Sequence, residues 1–221
     1  MKEITQVDRI KHFGLTCTLS NNGVERHFLN GHEYVEIGGI KWATCNVGAE
    51  KVIDYGKYFA WGETKGFFSA SEKRFTLENY EFGYNASKYN RINDKAVLDI
   101  SDDAVAAVWG NGWRLPTKDE YVALGNAVTT AWTDDYQGSG VAGLVCTDKT
   151  DSSKVLFFPA CGCCYDGNVF NVGDYGYYWS SSLDSSNVKN TYDLYFSFDF
   201  VSWQSYTIRR YYGFPVRGVV G

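Results

Sequence analysis

Residues 101–120, SDDAVAAVWGNGWRLPTKDE, decide the predicted fold because they carry its two helices. Ser101 is predicted to be the N-cap of the first helix, with Asp102 and Asp103 in the first turn, where the helix dipole favours acidic side chains. The body of this helix covers residues 104–109, and Gly110 ends it.

The second helix is predicted from a capping box at Thr117 and Glu120, residues whose side chains can each satisfy a free amide of the other. Tyr121, Leu124 and Val128 follow at helical spacing and supply an apolar face. The chain is therefore expected to contain two helices near its middle.

Segments with strand composition lie on both sides of these helices. Residues 34–62 alternate around a Gly-Gly turn, 63–95 form a long irregular loop, and from about 140 onward the chain is rich in β-favouring residues. With helices early and most strands late, the predicted fold class is α+β: two helices around a twisted antiparallel β core.

The predicted domain organisation has two parts. Residues 1–33 form an N-terminal extension or attachment element, and residues 34–221 form one ligand-binding domain. Within the extension, segments 13–19 and 26–29 are predicted to be strands joined at Asn21-Asn22-Gly23, a sequence typical of hairpin turns.

Composition excludes several classes of function. The 221 residues carry a net charge of −5, which argues against nucleic acid as the partner, because phosphate binding needs a basic surface. The sequence contains no run of roughly 18 apolar residues, so no membrane span is predicted. The first residues lack the apolar stretch of a signal peptide. The six cysteines are therefore expected to be free thiols. The sequence leaves the localisation open between a cell surface and a phage particle.

The segment 174–212 is unusually aromatic, with 13 aromatic residues and eight serines among its residues. Tyrosine offers rigid contact area and serine adaptable hydrogen bonding, a mixture typical of binding sites, although a β core would also use aromatic residues. In the strand predicted over 192–200, Leu194, Phe196 and Phe198 are expected to face the core, and Tyr195, Ser197 and Asp199 to face outward. Residues 205–212 are expected to form an exposed loop.

Several motifs together resemble one family. They are ordered along about residues 34–221, and they cover residues 40–49, 54–64, 102–104 with 109–117, 158–160, 171–173, 176–182 and 213–217. The most specific are Gly-Trp-Arg-Leu-Pro-Thr at 112–117 and Tyr-Tyr-Trp-Ser-Ser-Ser at 177–182. In combination they resemble the Fibrobacter succinogenes major paralogous domain, which is common in Bacteroidetes. The resemblance implies a C-type-lectin-like fold of the formylglycine-generating-enzyme subtype.

Some members of that family are variable proteins of diversity-generating retroelements, whose C-terminal regions are diversified. The resemblance implies a variable region at about 161–212 and a ligand-binding protein, such as a phage receptor-binding protein or a bacterial adhesin. Its partner would be a protein or a glycan on a cell or phage surface, with no cofactor and no enzymatic activity. The implied binding face consists of Tyr165, Asn168, Phe170, Tyr192, Tyr195, Ser197, Asp199, Phe200, Ser202, Ser205, Tyr206, Ile208, Arg209, Tyr211 and Tyr212.

Other functions remain open on the sequence. Cys161, Cys163 and Cys164 have poor spacing for zinc and are interpreted as buried apolar residues or variable positions. His27 and His32 are interpreted as surface histidines. The alternatives are a subunit of a pilus or surface assembly and a metal-dependent oxidase related to the formylglycine-generating enzyme, whose reactive cysteine pair has no match here.

Overall fold

The structure, a computed structural model, describes residues 16–21, 24–83, 88–90, 95–184 and 186–220, without the side chains of 19–21, 24, 206 and 207. Within these residues the chain forms thirteen strands, arranged in four antiparallel sheets, and two α-helices. The helices are α1 (Ala104–Trp109) and α2 (Lys118–Ala127).

The largest sheet has five strands and joins the two ends of the described chain. Its strand order is β1-β2-β3-β4-β13. The C-terminal strand β13 pairs antiparallel with β4, so the last strand completes a sheet that the first strands begin. The bounds are β1 (Thr16–Asn21), β2 (Val24–Leu29), β3 (His32–Ile37), β4 (Ile40–Asn46) and β13 (Arg217–Val220).

The remaining strands form three smaller sheets, one of three strands from β5 to β7, one hairpin of β8 and β9, and one of three strands from β10 to β12. Short 3-10 helices lie at Leu77–Asn79, Ile100–Asp102 and Tyr136–Gly138. The strand bounds are β5 (Val128–Thr133), β6 (Gly143–Asp148), β7 (Val155–Pro159), β8 (Cys163–Tyr165), β9 (Asn168–Phe170), β10 (Gly176–Leu183), β11 (Asn190–Phe196) and β12 (Val201–Arg209).

The predicted α+β, C-type-lectin-like fold class is wrong, because the chain is mostly β, with 41% of it in strands and 13% helical. The two predicted helices exist, but they span only six and ten residues and cannot form a layer of their own. Strands instead begin before the helices and continue after them, and they pair within several separate antiparallel sheets.

The caps of the two helices test the local predictions. Asp103, not Ser101, caps α1: its Oδ1 accepts hydrogen bonds from the amides of Val105 (2.9 Å) and Ala106 (3.0 Å). Ser101 lies in the preceding 3-10 helix. The capping box of α2 is confirmed, since Thr117 Oγ1 accepts from the Glu120 amide at 3.2 Å and Glu120 Oε2 accepts from the Thr117 amide at 2.7 Å.

The N-terminal hairpin is confirmed in its paired residues. Strands β1 and β2 pair from Thr16 with Leu29 to Asn21 with Val24, while the turn residues between them and residues 13–15 lie outside the described part of the chain. The predicted boundary after residue 33 falls inside β3, which pairs with β2 in the same sheet.

Two clusters of buried side chains form the core. Trp42 and Tyr121 belong to one, and Trp61, Trp113 and Trp179 belong to the other. No helix within the described residues has the length and apolar character needed to cross a membrane.

Candidate ligand-binding surface

The turn between β11 and β12 presents the side chains of Phe198, Asp199 and Phe200 to solvent. Strand β11 ends at Phe196, which pairs with Val201, and the four residues between them form the turn. The amide of Ser197 donates to the Phe200 carbonyl at 2.8 Å and closes it. Phe198 is 72% exposed and Phe200 is 54% exposed.

This turn corrects two predictions made from alternation. Phe198 was expected in the core, and Ser197 was expected to face outward, but Ser197 is 7% exposed. The strand period stops applying where the strand stops, so the two side chains exchange environments. The expected loop over 205–212 is also wrong in its first half, because β12 extends to Arg209.

A two-residue turn joins β8 and β9. Tyr165 pairs with Asn168, and Asp166 and Gly167 between them have φ values of +47° and +79°. A turn with two positive φ values suits the right-handed twist of a hairpin and favours Asp-Gly at those positions. The hairpin exposes Tyr165, Asn168 and Phe170.

Tyrosine rings connect these two turns with β10 and the segment after β12. Tyr165 lies 4.7 Å from Tyr212 and 6.2 Å from Tyr211 between ring centroids. A second group surrounds Tyr195, whose ring lies 5.8 Å from Tyr175, 5.1 Å from Tyr177 and 6.0 Å from Phe200. All these separations fall within the range of favourable aromatic pairs.

The two groups are neighbours. Cys163 is close enough to Tyr177 in one group and to Tyr212 in the other to raise the pKa of both phenols, an effect smaller than that of burial. Phe170 is paired with Cys163 across the hairpin. We call this set the aromatic surface and define it as Tyr165, Phe170, Tyr175, Tyr177, Tyr195, Phe198, Phe200, Tyr211 and Tyr212.

Burial sets the chemistry of the aromatic surface. It raises the pKa of Tyr177, Tyr195 and Tyr212, so their phenols stay neutral hydrogen-bonding groups at physiological pH. It also raises the pKa of the Cys163 thiol to about 11. A thiol that is rarely ionised is a poor nucleophile, so Cys163 is not an activated cysteine.

Several residues of the predicted binding face lie elsewhere or in other roles. Tyr192 packs against Lys118 at the start of α2, whose Nζ lies 4.6 Å from the ring centroid. Ser202 and Ser205 are half-buried partners of Tyr195 and Asp193 in the sheet. Ile208 packs against the core, Asp199 and Arg209 are exposed, and the side chain of Tyr206 lies outside the described residues.

Sequence reasoning omitted Tyr175 and Tyr177 from the site. Both flank Gly176, where a Cβ atom would lie 2.0 Å from the Phe196 ring, so the glycine lets the two strands approach. The sequence signal that could have identified them is a tyrosine on each side of a glycine at the start of a strand. The Asp-Gly pair at 166 and 167 was likewise a readable sign of the β8–β9 hairpin.

The other candidate chemical groups have structural roles. Cys161, Cys163 and Cys164 are buried, as the first of their two interpretations predicts, and their interpretation as variable positions stays a prediction. His32 stacks on Trp109 with ring centroids 4.0 Å apart, and His27 is half-buried on β2. Within the part of the chain that the structure describes, no three His, Cys, Asp or Glu side chains are grouped to hold a metal ion.

Comparison with known proteins gives one similarity. No curated protein and no solved structure matches the chain. A family model matches one segment of the chain, residues 146–219. This segment reaches from the end of β6 into β13 and includes every residue of the aromatic surface. Over residues 146–219 the chain is similar to a family described as a domain of unknown function (DUF8237).

Proposed function

We propose that this protein is a recognition protein that binds a protein ligand through the aromatic surface, as a phage receptor-binding protein or a bacterial adhesin does. One observation carries the proposal. Of the ten exposed large hydrophobic side chains among the described residues, six lie between 165 and 200: Tyr165, Val169, Phe170, Val172, Phe198 and Phe200. Exposed apolar residues gathered in one region mark interaction sites.

The composition of the surface favours a protein ligand over a glycan. Phe170, Phe198 and Phe200 present rings without a hydroxyl group, which gain most by burial against apolar atoms of a partner. Around them, half-buried tyrosines offer rigid rings with a polar end. Tyr, Trp and Arg are the residues most enriched in the energetic centres of protein interfaces.

Replacing Phe170, Phe198 and Phe200 together with serine tests this proposal. Arrays of bacterial surface proteins and of glycans would be probed with the wild-type protein and with the triple variant. Each lost hot spot is worth about 2 kcal/mol, or about 30-fold in Kd, so protein signals should fall at least 30-fold. The melting temperature should be nearly unchanged, because these rings are exposed.

Phe68→Ser is the matched control, since Phe68 is 60% exposed and lines a different part of the surface near Lys57. It should leave all binding intact. Equal protein binding by the triple variant, or binding to glycans alone, would contradict the proposal. A solution mass showing that the purified chain assembles through this surface would instead favour a structural subunit.

We also propose that residues 161–212 are diversified, as the family resemblance implies. Exposed positions such as Asn168, Asp199 and Arg209 alternate with buried framework residues such as Trp179 and Leu194, so substitutions at the former leave the core intact. A second copy of this coding segment beside a reverse transcriptase gene, differing only where that copy has adenine, is the expected genomic finding. A source genome without such a copy would contradict diversification.

A further inference from the structure

A small basic cleft borders the aromatic surface. It has a volume of about 200 Å³, and Lys189, Arg209 and Arg210 line it together with Tyr80 and Tyr211. Tyr211 belongs to both the cleft and the aromatic surface, so a ligand on the surface reaches the cleft. None of the described residues lining the cleft is acidic, although the chain as a whole carries a net charge of −5.

Arg210 is the central group of the cleft. Its residue is 3% exposed, and its guanidinium lies 5.6 Å from the Trp61 ring and 5.8 Å from the Tyr80 ring. Among the described residues it makes one hydrogen bond, from Nη1 to the Tyr89 carbonyl at 3.3 Å, and no ion pair. A guanidinium has five N–H donors and stays charged in proteins, so the described residues use only a small part of its hydrogen-bonding capacity.

Two acids lie near Tyr80, and among the described residues neither forms an ion pair with Arg210. Glu81 is exposed, and Glu63 is already paired. Glu63 is close enough to raise the pKa of the Tyr80 phenol, but its carboxylate is paired with Lys73 and also accepts from the Glu81 amide at 2.9 Å. Glu63 therefore does not serve as the counter-ion of Arg210. A buried charge that has no counter-ion among the described residues is costly, and an anionic ligand would reduce that cost.

The arginine is also held in place. The backbone carbonyl of Arg210 accepts from the Trp61 amide at 2.9 Å, and Arg209 is the last residue of β12, where it pairs with Asn190. A fixed guanidinium loses little entropy on binding, and its planar fork matches the two oxygens of a carboxylate.

We propose that this cleft binds a carboxylate, the side chain of an aspartate or glutamate that a protein partner presents beside its contact with the aromatic surface. The inference rests on the proposed function for the identity of the partner. Three cations and two tyrosine rings in so small a volume fit one acidic side chain, since sites for drug-sized ligands are larger. The exposed phenylalanines of the aromatic surface, which shares Tyr211 with the cleft, favour a protein over an acidic sugar as the source.

The test uses small probes and does not need the natural ligand. N-acetylglutamate methylamide would be titrated into ¹⁵N-arginine-labelled protein while the Nε–H signal of Arg210 is followed by NMR. A saturable shift is expected, with a Kd on the order of 1 mM for so small a ligand. The neutral glutamine analogue should cause no saturable shift, and glucuronate should bind several-fold more weakly.

Two variants decide the outcome. Arg209→Gln, at an exposed position, should weaken binding of the glutamate probe at least tenfold. Arg26→Gln, at an exposed arginine on β2, should leave binding of the probe unchanged. Arg210→Lys, checked for folding by circular dichroism, should also weaken it. Equal binding by wild type and Arg209→Gln, equal shifts from the neutral analogue, or tighter binding of glucuronate would overturn the proposal.

The two proposals fail separately. Loss of protein binding in the triple phenylalanine variant without any response to the carboxylate probe would refute the cleft alone. Saturable probe binding combined with unchanged protein binding by the triple variant would refute the aromatic surface alone.

Discussion

At the scale of single residues, Asp193 is the least expected group in the sheet. It is fully buried on β11, and among the described residues neither carboxylate oxygen has a donor with good hydrogen-bond geometry, although the Ser205 hydroxyl lies close by. Burial raises its pKa well above the ordinary value, and the nearby Ser205 hydroxyl and its own backbone offset this only in part. The carboxyl is therefore easier to protonate in the folded protein than in the unfolded chain.

This predicts how Asp193→Asn changes stability. With a raised pKa in the folded state, the stability that Asp193 contributes is fully present below about pH 4 and is lost as the pH rises toward the folded-state pKa. The asparagine variant should therefore unfold at a higher temperature than wild type at pH 8, and the difference should shrink toward pH 4. Thermal unfolding between pH 4 and 9 measures this. Asp174→Asn, at an exposed position, should show no such trend, and a less stable Asp193→Asn at pH 8 would contradict the assignment.

At the scale of elements, the capping box of α2 was predictable because a cap is a short-range interaction, whereas the N-cap of α1 is Asp103 and not the predicted Ser101. Thr117→Ala should destabilise the protein by about 1 kcal/mol, because the Glu120 amide loses its acceptor and the capping box is broken. Thr76→Ala is the matched control, since Thr76 precedes a 3-10 helix without making a side-chain cap. Urea unfolding of both variants measures the difference, and equal losses would contradict a specific capping contribution.

Strand ends were less predictable than the capping box of α2. The alternation through Leu194 and Phe196 is real, but the turn after it reads Ser-Phe-Asp-Phe and contains no glycine, proline or asparagine to mark it. The exposure of Phe198 therefore depends on where the pairing of β11 with β12 ends, at Phe196 and Val201, which the sequence of one strand does not encode. At 166 and 167 the marker was present, and it correctly indicates the β8–β9 hairpin.

At the scale of the whole molecule, the fold class could not be derived from local patterns. Arg217 shows why: its buried guanidinium donates to Asn46 Oδ1 at 2.8 Å and to the carbonyls of Ala43, Thr44 and Phe157. These contacts join three strands from distant parts of the chain, and no periodicity predicts such a meeting point. Six residues of the aromatic surface were named from the sequence, namely Tyr165, Phe170, Tyr195, Phe200, Tyr211 and Tyr212. The exposure of Phe198, the inclusion of Tyr175 and Tyr177, and the basic cleft depend on contacts between segments that no local pattern encodes.

The pairing of β13 with β4 has a consequence for the speed of folding. Arg217 and Asn46 are 171 positions apart along the chain, so the five-stranded sheet cannot be completed until a very long segment has been brought back to its start. Closing so large a loop lowers the rate at which native contacts form, and antiparallel proteins dominated by distant pairings fold in milliseconds to seconds or more slowly. During that delay the free edge of β4 is open to strands from other chains, so refolding yield should fall as protein concentration rises.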